Sequence, residues 1–167
     1  MPDLLTHAFL AYTGGLVLSW RYDWITSRYV TVSMAGAFIP DIAKIDLLIP
    51  SDRVAALLNI PFSWFGVHTA GGALVGVLIG VVVVQSTERI RVFMLLSLGA
   101  VTHLIADAFL IKAYGHSYPL LWPLTAYAPP TPGLYLSTDI WPAIVTGTIA
   151  VGVLVIDRRR TTTATTE

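Results

Sequence analysis

The chain of 167 residues is 55% hydrophobic by count, carries ten basic and ten acidic residues for no net charge, and has a mean hydropathy of +0.72. Charged residues make up 12% of it, about half the share usual in a soluble domain, and they fall mostly between long apolar blocks, which reads as a single-domain polytopic membrane protein. The neutral balance and the lack of a basic run before the last block exclude a nucleic-acid partner, and with no cysteine there is no disulfide, thiolate ligand or cysteine nucleophile.

The apolar blocks are residues 4–20, 29–50, 62–84, 92–113 and 140–156. Each approaches the ~20 residues that cross ~30 Å of hydrocarbon. The expected fold is therefore all-α, a polytopic membrane helical bundle of about five spans over residues 1–160, with a short disordered cytoplasmic tail at 161–167. The first block has no basic leader and no small-x-small cleavage site before Arg21, so it reads as a mature helix and not a signal peptide. Pro40, Asp41, Lys44 and Asp46 interrupt the outer half of the second block, which predicts an unwound or re-entrant stretch lining a cavity. Residues 114–139 hold five prolines together with Trp122, Tyr127 and Tyr135, which excludes a continuous helix. Two readings of this loop stay open: a cap resting at the headgroups on its aromatic residues, or a lid over a polar cavity hinged at Gly115 and His116.

Arg21 and Arg28 fall in the first connection, Arg89 and Arg91 in the third, and Arg158, Arg159 and Arg160 after the last block; Arg53 and Lys112 fall in the other two connections. Five spans put these seven and two bases on opposite sides, and the positive-inside rule makes the C-terminus cytoplasmic and the N-terminus external. The same topology brings His7, Asp41, Asp46, His68, His103, Asp107 and His116, including every histidine of the chain, to the outer side. One tension remains. If the fourth helix ends near Ala113, His103 lies ~15 Å below the outer boundary while His7 lies only ~5 Å deep, at ~1.5 Å per residue.

His103 and Asp107 are four residues apart in an apolar segment, so on a helix they share one face a turn apart. Both must be desolvated, and a metal ion, a proton pathway or an internal ion pair has to offset that cost. Imidazole and carboxylate are the ligands expected for zinc and similar ions where thiolate is absent. A catalytic centre needs about three protein ligands and an open position for water. His7, Asp41, His68, His103 and Asp107 suffice for one metal, and His116 makes a second conceivable. Asp3, four residues before His7, can orient that ring as a carboxylate acceptor.

Thr6-His7-Ala8-Phe9-Leu10, Phe38-Ile39-Pro40-Asp41-Ile42, Val67-His68-Thr69 and Thr102-His103-Leu104-Ile105-Ala106-Asp107 resemble, in the same order, motifs of the YdjM-like family of inner-membrane, metal-dependent hydrolases. Gly115 and Tyr118-Pro119-Leu120-Leu121-Trp122-Pro123 resemble its Gly-x-Pro-Leu-Leu-Trp-Pro segment. The ligand order also resembles that of the zinc-dependent phospholipase C and P1 nuclease group, which cleaves phosphate esters. These resemblances imply an integral cytoplasmic (inner) membrane hydrolase. His7, Asp41, His68, His103 and Asp107 would be its metal ligands, with His116 a weaker candidate, and His103, Asp107 and His68 would carry catalysis. The substrate would be a phosphate ester, of a lipid or another membrane-derived molecule, attacked by metal-activated water, with Lys112 or Arg53 contacting the phosphate and Asp46 nearby. The chain departs from the family around the third block: Trp64 to Ala70 keeps only the second of two histidines and lacks a serine, and Ala43 stands where a second aspartate is usual. Two further readings therefore stand beside the hydrolase: a transporter or ion or proton relay using the same residues, and a structural membrane protein with a vestigial site.

Overall fold

The computed structural model describes residues 2–113 and 115–164, apart from the side chains of residues 2, 3, 161, 163 and 164. Its α-helices are α1 (Pro2–Ser19), α2 (Ser27–Ala37), α3 (Ser51–Leu58), α4 (Ala70–Val82), α5 (Arg89–Ala108) and α6 (Trp141–Ala164), with 3-10 turns over Pro40–Leu47 and Trp64–His68. Among the described residues there is no strand, only isolated bridges of Leu110 with Tyr135 and of His116 with Pro130. The all-α expectation holds. Among the described residues two helices, α5 and α6, are long and apolar enough to cross a membrane; α4 and the stretch of α1 from Leu4 are apolar but shorter.

Helices α2 and α5 run parallel with their backbones in contact. A Cβ on Gly36 would lie 2.2 Å from the Leu96 carbonyl oxygen, and one on Gly99 would lie 2.0 Å from the Ser33 carbonyl oxygen. Only glycine permits this approach, and it carries the C-terminal turn of α5 alongside the end of α2. On the other side of α5, Val92, Leu96 and Ala100 pack with Ala73 and Val77 of α4 and with Ile39. Helix α6 lies along α1, where a Cβ on Gly147 would sit 3.1 Å from the Phe9 ring, and leaves Ile144, Val145, Ile149, Val151 and Val155 exposed.

The two ends of the bundle differ in chemistry. At one, Arg91 Nη1 donates to Tyr29 Oη at 3.3 Å, the Tyr29 hydroxyl donates to Glu88, Trp20 Nε1 donates to Asp157 Oδ1 at 2.9 Å, and the Arg160 guanidinium lies 4.4 Å from the centre of the Trp20 ring. These contacts join the ends of α1, α2, α5 and α6 that carry most of the arginines. The histidines and buried aspartates lie at the other end.

Several boundaries differ from the block pattern. The second block is broken as expected, since α2 has only 11 residues before the 3-10 turn at Pro40. Helix α5 ends at Ala108 and not near Ala113, because Phe109 O accepts from Leu134 N at 2.9 Å and Ile111 N donates to Tyr135 O at 2.7 Å, drawing the chain into an extended pairing. His103 is then five residues from its helix end, as His7 is from the start of α1, so the two lie equally far, ~7.5 Å, from their helix ends. Tyr135 is buried, its hydroxyl donating to Ala106 O at 2.8 Å, instead of resting at an interface. Helix α6 runs past residue 160 to Ala164, so the tail is helical as far as that; residues 165–167 lie outside the described residues.

The closeness at Gly99 makes a bulky residue there intolerable. Gly99→Leu is expected to lower stability by about 3 kcal/mol or more, read as thermal unfolding of the purified protein, whereas Gly152→Ala, inside α6 and meeting nothing within 4 Å, does not lower it and raises it by up to about 1 kcal/mol.

Candidate metal centre

Local capping sets each functional side chain. At the end of α2, the Phe38 N–H donates to Ala35 O and the Ile39 N–H to Gly36 O, both at 3.1 Å, which leaves the Ala37 carbonyl among those with no partner in its own helix. His103 supplies that partner: its Nδ1 lies 2.7 Å from Ala37 O. Pro40 opens the following 3-10 turn, a position suited to its fixed φ and missing donor, and Asp41 comes next. His68 ends the turn Trp64–His68, which Ser63 starts by accepting from Phe65 N. Thr69 then caps α4 by accepting from Gly72 N at 3.3 Å. Leu120 O and Trp122 O take the next donors, Ala70 N at 2.7 Å and Gly71 N at 2.9 Å.

Asp107 stands at the middle of the group. Its Oδ2 lies 2.7 Å from His68 Nε2 and 3.7 Å from His103 Nε2, and its Oδ1 lies 3.2 Å from His7 Nε2. The rings of His7 and His103 stack with centroids 3.7 Å apart. Asp41 Oδ1 lies 3.7 Å from His103 Nε2 and 2.7 Å from Lys44 Nζ. His7, Asp41, His68, His103 and Asp107 are all buried, His7 and His103 completely.

The tautomer of His103 follows from its partner. A carbonyl oxygen only accepts, so the contact of His103 Nδ1 with Ala37 O places the proton on Nδ1, and in the neutral ring Nε2 presents a lone pair toward the oxygens of Asp41 and Asp107. His68 spans two acceptors, with Nδ1 3.2 Å from Pro40 O and Nε2 2.7 Å from Asp107 Oδ2. His103 Nε2, Asp41 Oδ2 and Asp107 Oδ1 are buried without a hydrogen-bond partner. Acceptors turned toward one another in a buried space repel unless a cation or proton lies between them. Backbone carbonyls orienting imidazoles in this way are the usual support of a metal ligand. Two sets of donor atoms, His7 with His103 and Asp107, and Asp41 with His68 and His103, each lie within 4.8 Å of one another. These buried clusters can hold a metal ion.

The centre opens to a cavity of about 440 Å³ whose wall includes Asp41, His68 and Asp107 on one side and Lys44, Lys112, Phe65 and Tyr118 around them. Leu136 and Ser137 of the long loop also line it, so that loop covers part of the cavity. His103 and His7 lie behind the wall.

The remaining expected site residues fare differently. His116 is exposed, pairs through its backbone with Pro130 and belongs to neither donor set, so it is not brought to the centre. Arg53 is exposed on α3 and does not line the cavity. Asp46 reaches the cavity edge but is committed to Ser51, accepting from its N at 2.8 Å and its Oγ at 2.6 Å. Those bonds hold its carboxyl below the usual carboxylate range, so this anchor is intact at neutral pH and is lost only as pH falls through that lowered value. Lys112 lines the cavity with its ammonium 4.2 Å from the centre of the Tyr118 ring. The Asp3 side chain lies outside the described residues. Lys44, named from the sequence only as part of the interruption of the second block, is brought to the cavity wall beside Asp41. Its spacing of three from Asp41 was the available signal, because residues i and i+3 eclipse in a 3-10 turn.

No family model, curated protein or solved structure matches the chain.

Metal loading separates the clustered residues from the others. Elemental analysis of detergent-purified protein is expected to give about one divalent ion per chain, falling below about a tenth of that in Asp107→Asn and unchanged in His116→Ala and Arg53→Ala. Equal loading in all four proteins would contradict the assignment.

Proposed function

We propose that this is an integral inner-membrane protein whose buried histidine and aspartate centre holds a divalent ion, zinc by its nitrogen and oxygen donors, and hydrolyses a phosphate ester of a lipid or another membrane-derived molecule. The observation that carries the reading is the pair of carbonyl-oriented imidazoles, His68 and His103, facing buried carboxylates beside a cavity that also holds two lysines. The ordered resemblance to the YdjM-like motifs supports the same conclusion, since it runs through the five residues that cluster. Five crossings, by α1, the α2 segment, α4, α5 and α6, with the histidine end outside and the arginine end cytoplasmic, agree with the chain's alternation between the two ends and with the exposed apolar face of α6.

A bound divalent ion supplies two things, polarisation of a phosphoryl oxygen and a lowered pKa for water. The chain's own residues do the rest. Ala37 O and Pro40 O keep the rings of His103 and His68 turned inward. His7, His103 and Asp107 would hold the ion. His68, at the wall with its Nε2 2.7 Å from Asp107 Oδ2, is placed to hold the proton released when water attacks. Lys44 and Lys112 supply positive charge to the phosphoryl oxygens, and Phe65, Leu110 and Tyr118 restrict water at the entrance.

Two measurements test this. Purified protein should hydrolyse a generic phosphomonoester or phosphodiester in a chelator-sensitive way, with Asp107→Asn losing more than the roughly 10–100-fold that a merely supporting residue costs; metal loading without turnover on any phospholipid or nucleotide would favour a vestigial centre or a carrier. A reporter fused after Glu167 should be cytoplasmic and one inserted near Tyr127 external, and the reverse pattern would overturn the orientation.

A further inference from the structure

Two apolar hollows adjoin the cavity through shared wall residues. The first, about 570 Å³, shares Ser63 and Phe65 with the metal-site cavity and passes between the turn Trp64–His68 and the loop at Pro119 and Trp122. The second, about 330 Å³, shares Ser63, Gly66 and Trp122 with the first and runs on to Val75 of α4. Beyond it the face of α4 is bare, with Val75, Leu78, Ile79 and Val82 exposed. Each hollow has the size of a small-molecule site. A track therefore leads from a centre with two lysines to an exposed apolar helix face, and its character changes from charged to hydrocarbon along the way.

The glycines explain how the track is shaped. A Cβ on Gly71 would lie 2.4 Å from Pro123 Cδ, and one on Gly72 would lie 2.1 Å from Gly66 O, so these two let the loop and the turn close onto α4. Gly66 is different: a Cβ there meets nothing within 4 Å. No packing demands a glycine at this position, yet it lies on the wall of both hollows, where any side chain would project into open space. The turn has the ordinary backbone of its type, with no left-handed φ at Gly66.

We propose that this track is an acyl-chain groove, and that the substrate of the centre is a lipid phosphate whose headgroup lies at Lys44 and Lys112 while its chain runs past Gly66 and Trp122 to Val75. The inference rests on the phosphate-ester reading of the centre and narrows its substrate class. The change of polarity along the track argues for the occupant: at one end Lys112, Lys44 and the divalent ion that Asp41 and Asp107 would help to hold offset the carboxylates and match an anionic headgroup, and the other end opens onto apolar surface of the kind exposed on α6. A soluble phosphate ester would use the polar cavity and leave the apolar track empty.

The test uses the full chain in detergent with a phosphatidic acid probe carrying a photoreactive diazirine midway along one acyl chain, with labelled sites read by mass spectrometry. Labels are expected at the turn 64–68, at Trp122 and at Val75, and are expected to drop at least fivefold in Gly66→Leu and in Val75→Trp, both of which should retain wild-type metal content. A water-soluble phosphomonoester is assayed in parallel with the wild-type protein. Labelling spread over α6, or labelling in the track that neither substitution reduces, would overturn the groove. Because the crosslinking needs no turnover, failure of the hydrolase reading shows separately as absent hydrolysis of the soluble ester by the wild-type protein.

Discussion

Asp107 is the constraint on which the rest of the structure turns. One buried carboxylate touches His68 and His7 and lies one helical turn from His103. A desolvated charge among imidazoles is costly unless every neighbour is oriented to meet it. The bundle supplies that orientation by means that are individually ordinary. Glycines bring α2 and α5 into backbone contact, a carbonyl at the end of α2 turns one ring, and a proline carbonyl turns another. The loop after α5 ties down the helix end that carries Asp107, with Tyr135 donating to Ala106 O.

The division of the bundle into two ends follows from the same economy. Arginines, indoles and phenols gather at one end in hydrogen bonds and cation–π contacts that tolerate water. At the other end His7, Asp41, His68, His103 and Asp107 are inside. The irregular elements concentrate there: both 3-10 turns, the short α3 and the long loop. Irregular backbone is tolerated in an apolar setting only where it packs on protein or lines a polar cavity, and here it does both, as the loop carbonyls of Leu120 and Trp122 close the start of α4.

Much of this was legible in the sequence, for identifiable reasons. Histidines and aspartates are rare in apolar blocks, so His7, Asp41, His68, His103 and Asp107 stood out one by one, and the alternation of basic connections placed them at one end. What could not be read was anything set by pairing between distant segments. Helix α5 stops at Ala108 because Phe109 and Ile111 bond to residues 134 and 135, and the apolar run through Ile111 carries no local sign of that. His116 was misplaced for the same reason, since the loop's pairing with Pro130 holds it away from the cavity. Asp46 resembled a site residue in composition, yet Ser51 claims it as a helix anchor. Five full spans looked plausible from block lengths, but the second and third blocks each give up part of their length to 3-10 turns, leaving α5 and α6 as the helices long and apolar enough to cross alone.

The central claim is that His7, His103 and Asp107 are ligands of a divalent ion. X-ray absorption at the zinc edge of detergent-purified, zinc-loaded protein addresses it directly. The account predicts a shell of nitrogen and oxygen only, at about 2.0–2.1 Å, with the outer-shell scattering of at least two imidazole rings. A spectrum with no imidazole scattering, or with the hexa-aquo signature of a loosely held ion, would contradict it.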